Sequence, residues 1–357
     1  MERKRIEKMI RNKIYIWQEN EYDYKQAYGF KPSIDGYLHE EKCGFARSCV
    51  LVVPGGAYKY VSPSEAELVA EAWFDKGYNV FVLTYSTNNL LTDPLHLQAL
   101  QDISRAIRTI RAKADEFAIA ADQIAVCGFS AGGHLCASLA VHHQDIEDEN
   151  PAFAGVSNRP DAAILSYPVI TTGEYTHNES CAALTGAPLD PETGLVDRDS
   201  MSAEQQAEMA YMSLENHVTK QTPPCFVWHT MTDDAVPVEN AFLFAAACRR
   251  AEIVCALHIF SKGKHGLSVA TKQWAEMKYK ESYTADQMRC IYAAVESGDL
   301  NVSDAKRAEL GFLSGMNTSP EIIAMFDRKP DEEVAIWPQI ANNWLQDLFK
   351  NKMQQPL

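Results

Sequence analysis

The sequence predicts an α/β protein with a mostly parallel central sheet covered by helices on both faces. Two observations carry this expectation. From about residue 48, apolar runs of strand length alternate with amphipathic stretches of helix length, the pattern that strand–helix–strand units leave in a chain. The strand candidates are also continuously apolar rather than alternating, as strands buried on both faces must be.

The strands are read in order as SCVLVVP (48–54), YNVFVLTY (78–85), QIAVCGF (123–129), DAAILSYP (161–168), PCFVWHT (224–230) and EIVCALHIF (252–260). Each is rich in Val, Ile, Phe or Cys, and the first is closed by Pro54-Gly55-Gly56. Between them, Ser64 to Lys76 opens Ser-Glu-Ala-Glu, a hydroxyl able to cap followed by early acidic residues. Leu95 to Ala114 carries apolar residues at 97, 100, 103, 106, 107 and 110, the spacing of a helix that buries one face. Further helices are expected over Ala131 to Val141, over Val238 to Ala251 after Pro237, and over Glu333 to Lys350. Residues 1–47 suggest an initial helix and some strand. Residues 171–222 and 271–333 break the rhythm, the second with two helical stretches, and are read as insertions forming a cap or rim on one domain spanning 1–357.

A composition of 46% hydrophobic and 23% charged residues excludes the disordered and fibrous classes. The net charge of −15 argues against a nucleic-acid partner and favours neutral or cationic substrates. The nine cysteines (43, 49, 127, 136, 181, 225, 248, 255 and 290) are scattered without metal-ligand spacing and read as reduced, mostly buried thiols. The basic N-terminus, MERKRIEKMIRNKIYIWQEN, lacks an apolar h-region, and no apolar run is long enough to span a bilayer. A cytoplasmic protein without a membrane partner is therefore expected, with homo-oligomerisation left open.

Gly128-Phe129-Ser130-Ala131-Gly132 matches G-x-S-x-G between a buried strand and a helix. A serine hydroxyl is a weak nucleophile and must project from a sharp turn, which flanking glycines permit. The helix behind it directs free N–H groups toward a developing oxyanion. Asp233 and Asp234, just after the strand 224–230, are the candidate acids. Of the ten histidines, His265 follows both nucleophile and acid on a Gly-flanked loop, as a general base in the order Ser, Asp, His requires. His134 and His258 are read as packed or hydrogen-bonded structural residues.

VLVVPGGAY (50–58), CGFSAGGHL (127–135), HTMTDDAVPVENA (229–241) and KGKHGLS (262–268) occur in the order and at the intervals of one family. The chain resembles the α/β-hydrolase superfamily, and within it the esterase/lipase group of acetylxylan-esterase-like acetyl esterases. The resemblance covers roughly residues 45–270 and the last helix. It implies the α/β-hydrolase fold, a serine mechanism and short acyl esters as substrates, with O-acetyl groups on an oligosaccharide preferred and no cofactor. The family interval to Val236-Pro237 selects Asp233 as the acid and leaves Asp234 a solvated neighbour. The family's glycine-rich loop assigns the oxyanion hole to the amides of Gly56 and Ala57 together with that of Ala131. Pro54 stands where lipases often carry His, and Ala57 replaces a frequent third Gly.

Tyr58, Tyr60 and Trp274 are candidates for stacking on a sugar ring. Asp102 lies near Arg105 and Arg108 and is read as an intrahelical ion-pair partner. His142-His143 face different directions on a helix and lack an H-E-x-x-H pattern, so no metal is expected. Three other readings remain: an arylformamidase-like amide hydrolase, a peptidase of the prolyl-oligopeptidase type, and a catalytically inactive hydrolase fold that serves as a binding module.

Overall fold

The computed structural model describes residues 9–40, 46–315 and 328–353. Eight strands form one sheet in the order β1-β2-β4-β3-β5-β6-β7-β8. They are β1 (Met9–Tyr15), β2 (Ser33–His39), β3 (Arg47–Val53), β4 (Asn79–Thr84), β5 (Ile119–Phe129), β6 (Ala162–Ser166), β7 (Cys225–Thr230) and β8 (Cys255–Phe260). From β4 to β8 every pairing is parallel. Only β2 runs against its neighbours β1 and β4.

Side chains on β3 alternate between two cores, and this explains the unbroken apolar runs. Cys49, Leu51 and Val53 face one core and Val50 and Val52 the other. On β4, Phe81 and Leu83 oppose Val80 and Val82 in the same way. The first core is covered by α2 (Gln98–Ala112), α3 (Ala131–His142) and α6 (Glu239–Arg250), the second by α1 (Glu67–Phe74) and α10 (Trp337–Met353). Burying both faces of each central strand removes the polar stripe that a half-exposed strand keeps.

The N-terminal expectation is corrected. Residues 9–40 hold two antiparallel strands and one 3₁₀ turn (Lys25–Ala27), with no α-helix among them. Pairing supplies the reason: β2 extends the sheet beside β4, so Ile34 and Leu38 reach one core and Tyr37 the other. Residues 1–8 lie outside the described residues.

Both interruptions run outside the sheet. Residues 171–222 carry α4 (Asn178–Thr185) and α5 (Ala203–Tyr211). Residues 271–333 carry α7 (Lys272–Ala275), α8 (Asp286–Ser297) and α9 (Asp304–Ser314). Residues 316–327 of the second stretch lie outside the described residues. The eight described cysteines are all free, with Cys255 and Cys290 only half-buried, and Cys43 falls outside them. No helix among the described residues is long and apolar enough to cross a membrane.

The expected pairing of Asp102 within its helix is also corrected. Its buried carboxylate accepts the Ser86 amide at 2.8 Å, the Trp17 indole N–H at 2.8 Å and the Gln98 side chain at 2.9 Å. Burial raises its pKa to about 6, and these donors oppose that rise. Arg105 instead reaches Asp148 and Glu21, while Arg108 reaches Ser104 and the carbonyls of Ile146 and Val156. This helix packs its charged face against other segments, so tertiary partners replace the i,i+3 neighbour.

Candidate active site

The strand order reverses about β3, with β4 on one side and β5 on the other. The loops leaving the C-terminal ends of β3 and β5 therefore diverge and open a crevice, as in other open parallel sheets. The Gly55-Gly56-Ala57 turn leaves the first of these ends and Ser130 the second.

Ser130 has φ of +52°, a left-handed conformation that only tight surroundings hold in a non-glycine residue. The surroundings are indeed tight. A Cβ on Gly128 would lie 2.2 Å from the Gly132 carbonyl oxygen, and one on Gly132 would lie 2.1 Å from that of Val53. The flanking glycines thus let β3, β5 and the start of α3 meet at the elbow.

His265 stands on the loop after β8, between Gly263 and Gly266, both at positive φ. Its Nε2 lies 2.8 Å from Ser130 Oγ and its Nδ1 2.8 Å from Asp233 Oδ2. An ionised carboxylate can only accept, so Nδ1 carries the proton and Nε2 is left to accept from the serine hydroxyl. Asp233 exposes 1% of its side chain, and its Oδ1 accepts the amides of Ala235 at 2.9 Å and Val236 at 2.8 Å. Burial opposes the charge on Asp233. Hydrogen bonds from His229 and His265, attraction to His265 and the Ala235 amide outweigh it and hold the carboxyl well below the usual range.

Asp234 is exposed but is more than a solvated neighbour: its Oδ1 accepts the backbone N–H of His265 at 3.0 Å. The two adjacent carboxylates grip one histidine, one by its ring and one by its backbone.

Gly56, Ala57 and Ser130 line a cavity of about 580 Å³ with Tyr60, His177 and His265. Gly56 (φ +120°) and Ala57 (φ +57°) take left-handed conformations that curl the loop over the serine. Ala131 opens α3, where first-turn amides have no intrahelical acceptor.

The three aromatic candidates separate. Tyr60 and Trp274 line the cavity, Trp274 buried with the Arg328 guanidinium 5.0 Å over its ring. Tyr58 is corrected: it is 1% exposed, donates its hydroxyl to His134 Nδ1 at 2.9 Å and packs edge-on to Tyr85. Its own φ of +58° turns the ring into the core. His134 completes that contact by donating from Nε2 to the Met212 carbonyl at 3.0 Å, so it is a satisfied core histidine. His258 stacks on Phe226. His142 bonds Asp145 and the Tyr211 carbonyl.

Sequence reasoning missed three residues. Glu65, read as an early helix acid, is a buried carboxylate whose Oε2 accepts the Gly55 amide at 2.8 Å and whose Oε1 accepts the Tyr167 hydroxyl at 2.7 Å. Tyr167 in turn accepts the Ser268 amide at 3.0 Å and sets its ring edge against His265. The glycine-rich loop and the histidine loop are therefore joined through one buried pair. His229, wholly buried, donates from Nε2 to the Val236 carbonyl at 3.0 Å, with Asp233 Oδ2 3.2 Å away. Its place four residues before Asp233 at a strand end was the only available signal.

Comparison with known proteins agrees with this architecture. Residues 34–247 match the BD-FAE family. Over 280 residues the chain is 45% identical to endo-1,4-beta-xylanase B of Butyrivibrio fibrisolvens, an alignment covering 78% of this chain and 41% of that protein. It is 28% identical over 253 residues to an acetylxylan esterase of Xylanibacter ruminicola, covering 70% and 46% respectively. The chain thus spans less than half the length of these curated relatives. Among solved structures, an acetyl ester-xyloside bifunctional hydrolase from Caldicellulosiruptor lactoaceticus is similar with a TM-score of 0.64 and 31% identity, over 81% of this chain and 97% of that one. The matched segment contains the elbow serine, both aspartates and the five strands β3 to β7 in full, and the chain belongs to the BD-FAE family, in the esterase group of the α/β hydrolases.

Proposed function

We propose that the protein is a serine carboxylesterase that removes short acyl groups, acetyl above all, from carbohydrate through an acyl-enzyme. The continuous hydrogen-bond path from Ser130 Oγ through His265 to Asp233, with both links at 2.8 Å, carries this reading. His265 Nε2 takes the hydroxyl proton as Oγ attacks the acyl carbonyl carbon, and Asp233 stabilises the resulting imidazolium. The carbonyl oxygen gains negative charge and is received by the amides of Gly56, Ala57 and Ala131. Collapse of the tetrahedral intermediate breaks the C–O bond, and the alcohol leaves with the proton from His265. Water, deprotonated by the same nitrogen, then releases the carboxylic acid and restores Ser130.

Carbohydrate is preferred as the alcohol because the relatives named above include an acetylxylan esterase and a xyloside hydrolase. A cavity of about 580 Å³ also leaves room for far more than an acetyl group. An intact set of Ser130, Asp233 and His265 speaks against an inactive binding module. Ser130→Ala tests the mechanism: hydrolysis of p-nitrophenyl acetate should fall by at least about 10⁴-fold with the melting temperature retained. Full activity in that variant would overturn the assignment. In an ester panel, preference for long acyl chains would overturn the acetylesterase reading.

A further inference from the structure

An acetyl ester offers few hydrogen-bond acceptors. The carbonyl oxygen is claimed by the oxyanion amides and the methyl accepts nothing, so a further N–H donor in the cavity must serve the alcohol half of the substrate. His177 supplies one.

His177 is the N-cap of α4, in the stretch 171–222, and lines the cavity together with Ser130 and His265. Its Nδ1 accepts the Ser180 amide at 3.3 Å and lies 2.9 Å from the Ser180 hydroxyl. A neutral imidazole that accepts at Nδ1 carries its proton at Nε2. Among the described residues no protein acceptor takes that Nε2–H. Burial, and then the nearby His265, lower the pKa of His177 and favour the neutral ring.

The ring is also held in position. Glu179, in the first turn of the same helix, accepts Lys59 Nζ from the glycine-rich loop at 3.1 Å. Asn240 donates to the Tyr175 carbonyl at 3.0 Å just before the cap. The helix is thereby tied to the oxyanion loop on one side and to α6 on the other.

We infer that His177 is a substrate-binding residue whose Nε2–H donates to a hydroxyl or ring oxygen of the sugar bearing the ester. A neutral donor beside the nucleophile suits a neutral, hydroxyl-rich alcohol, and the inference rests on the esterase reading above. The residue selects the alcohol and leaves the ester chemistry alone.

His177→Asn tests this, because Asn is a good N-cap and keeps the acceptor for Ser180 while removing the imidazole donor. His177→Ala serves as a second variant, and thermal melts of both check the fold. The expected result is a drop of about tenfold in kcat/KM on an acetylated xylo-oligosaccharide, carried mainly by KM, with a much smaller drop on p-nitrophenyl acetate, which lacks the sugar. Equal losses on both esters, or no loss on either, would overturn the inference and leave the esterase reading standing. If the wild type hydrolyses p-nitrophenyl acetate but releases no acetate from the oligosaccharide, the carbohydrate reading falls and the inference with it.

Discussion

The Asp234 carboxylate accepts the backbone N–H of His265 at 3.0 Å, while its neighbour Asp233 accepts the ring N–H of the same residue at 2.8 Å. The two contacts do different work. The first anchors the loop, whereas the second selects the tautomer that leaves Nε2 free to accept from the Ser130 hydroxyl. Asp233→Asn should lower kcat by about 10⁴-fold, because an amide in that position favours the wrong tautomer. Asp234→Asn keeps an acceptor for the backbone and should lose no more than a few-fold. Steady-state kinetics on one aryl acetate decide the matter, and the reverse ranking would move the acid to Asp234.

His229 should act through Asp233. It stands 3.2 Å from the oxygen that already receives His265, with a donating Nε2 fixed by the Val236 carbonyl. Removing the donor with His229→Phe should reduce kcat by about 10- to 100-fold, the range for a hydrogen bond to a charged group. His229→Gln can present an N–H at a similar reach and should recover most of the loss. Introduced into Asp233→Asn, the Phe variant should add almost nothing. An undiminished effect in that background would mean that His229 serves packing alone.

Glu65 and Tyr167 should govern the oxyanion loop. Glu65 accepts from Gly55 with one oxygen and from Tyr167 with the other, so Glu65→Gln must leave one of these donors facing an amide N–H₂. The loop carrying Gly56 and Ala57 should then lose its alignment. We expect kcat, and the rate of inactivation by a fluorophosphonate, to fall about tenfold or more while KM changes little. Unchanged inactivation kinetics would remove Glu65 from this role.

His134 gives the protein a pH-dependent stability term. Burial lowers its pKa to about 4, partly offset by its bond to the Met212 carbonyl, against about 6.5 in an unfolded chain. Between these values the unfolded state binds the extra proton, so stability is fully present above pH 6.5 and is lost as the pH falls toward 4. The loss reaches about 3 kcal/mol at the bottom of the window. Urea titrations of wild type and His134→Gln at pH 7 and pH 4.5 should show a smaller pH-dependent loss in the variant. Parallel losses would assign the acid sensitivity to other groups.

Much of this protein is legible in its sequence because the deciding physics is local. Six strands were readable as apolar runs: the central ones are buried on both faces and keep no polar stripe, and the edge strand β8 is apolar although only its Phe260 is buried. Ser130 was readable because its elbow needs Gly128 and Gly132 within four positions of one another. His265 was readable from chain order and its flanking glycines.

What only the tertiary structure decided are meetings between groups distant along the chain. Glu65 looked like a helix-start acid until Tyr167, 102 residues away, was seen to donate to it. Asp102 looked like one half of an intrahelical ion pair until Ser86 and Trp17 proved to be its donors. Tyr58 and Tyr60 are two residues apart and the same residue type, yet the first is buried against His134 and Tyr85 and the second lines the cavity. The first two strands depended on the β4 edge being open to pair with β2. Periodicity and turn chemistry encode which face of an element is buried, but the partner of a buried polar group is set by packing. The ring of His265 and the loops around Ser130 are aligned by such partners.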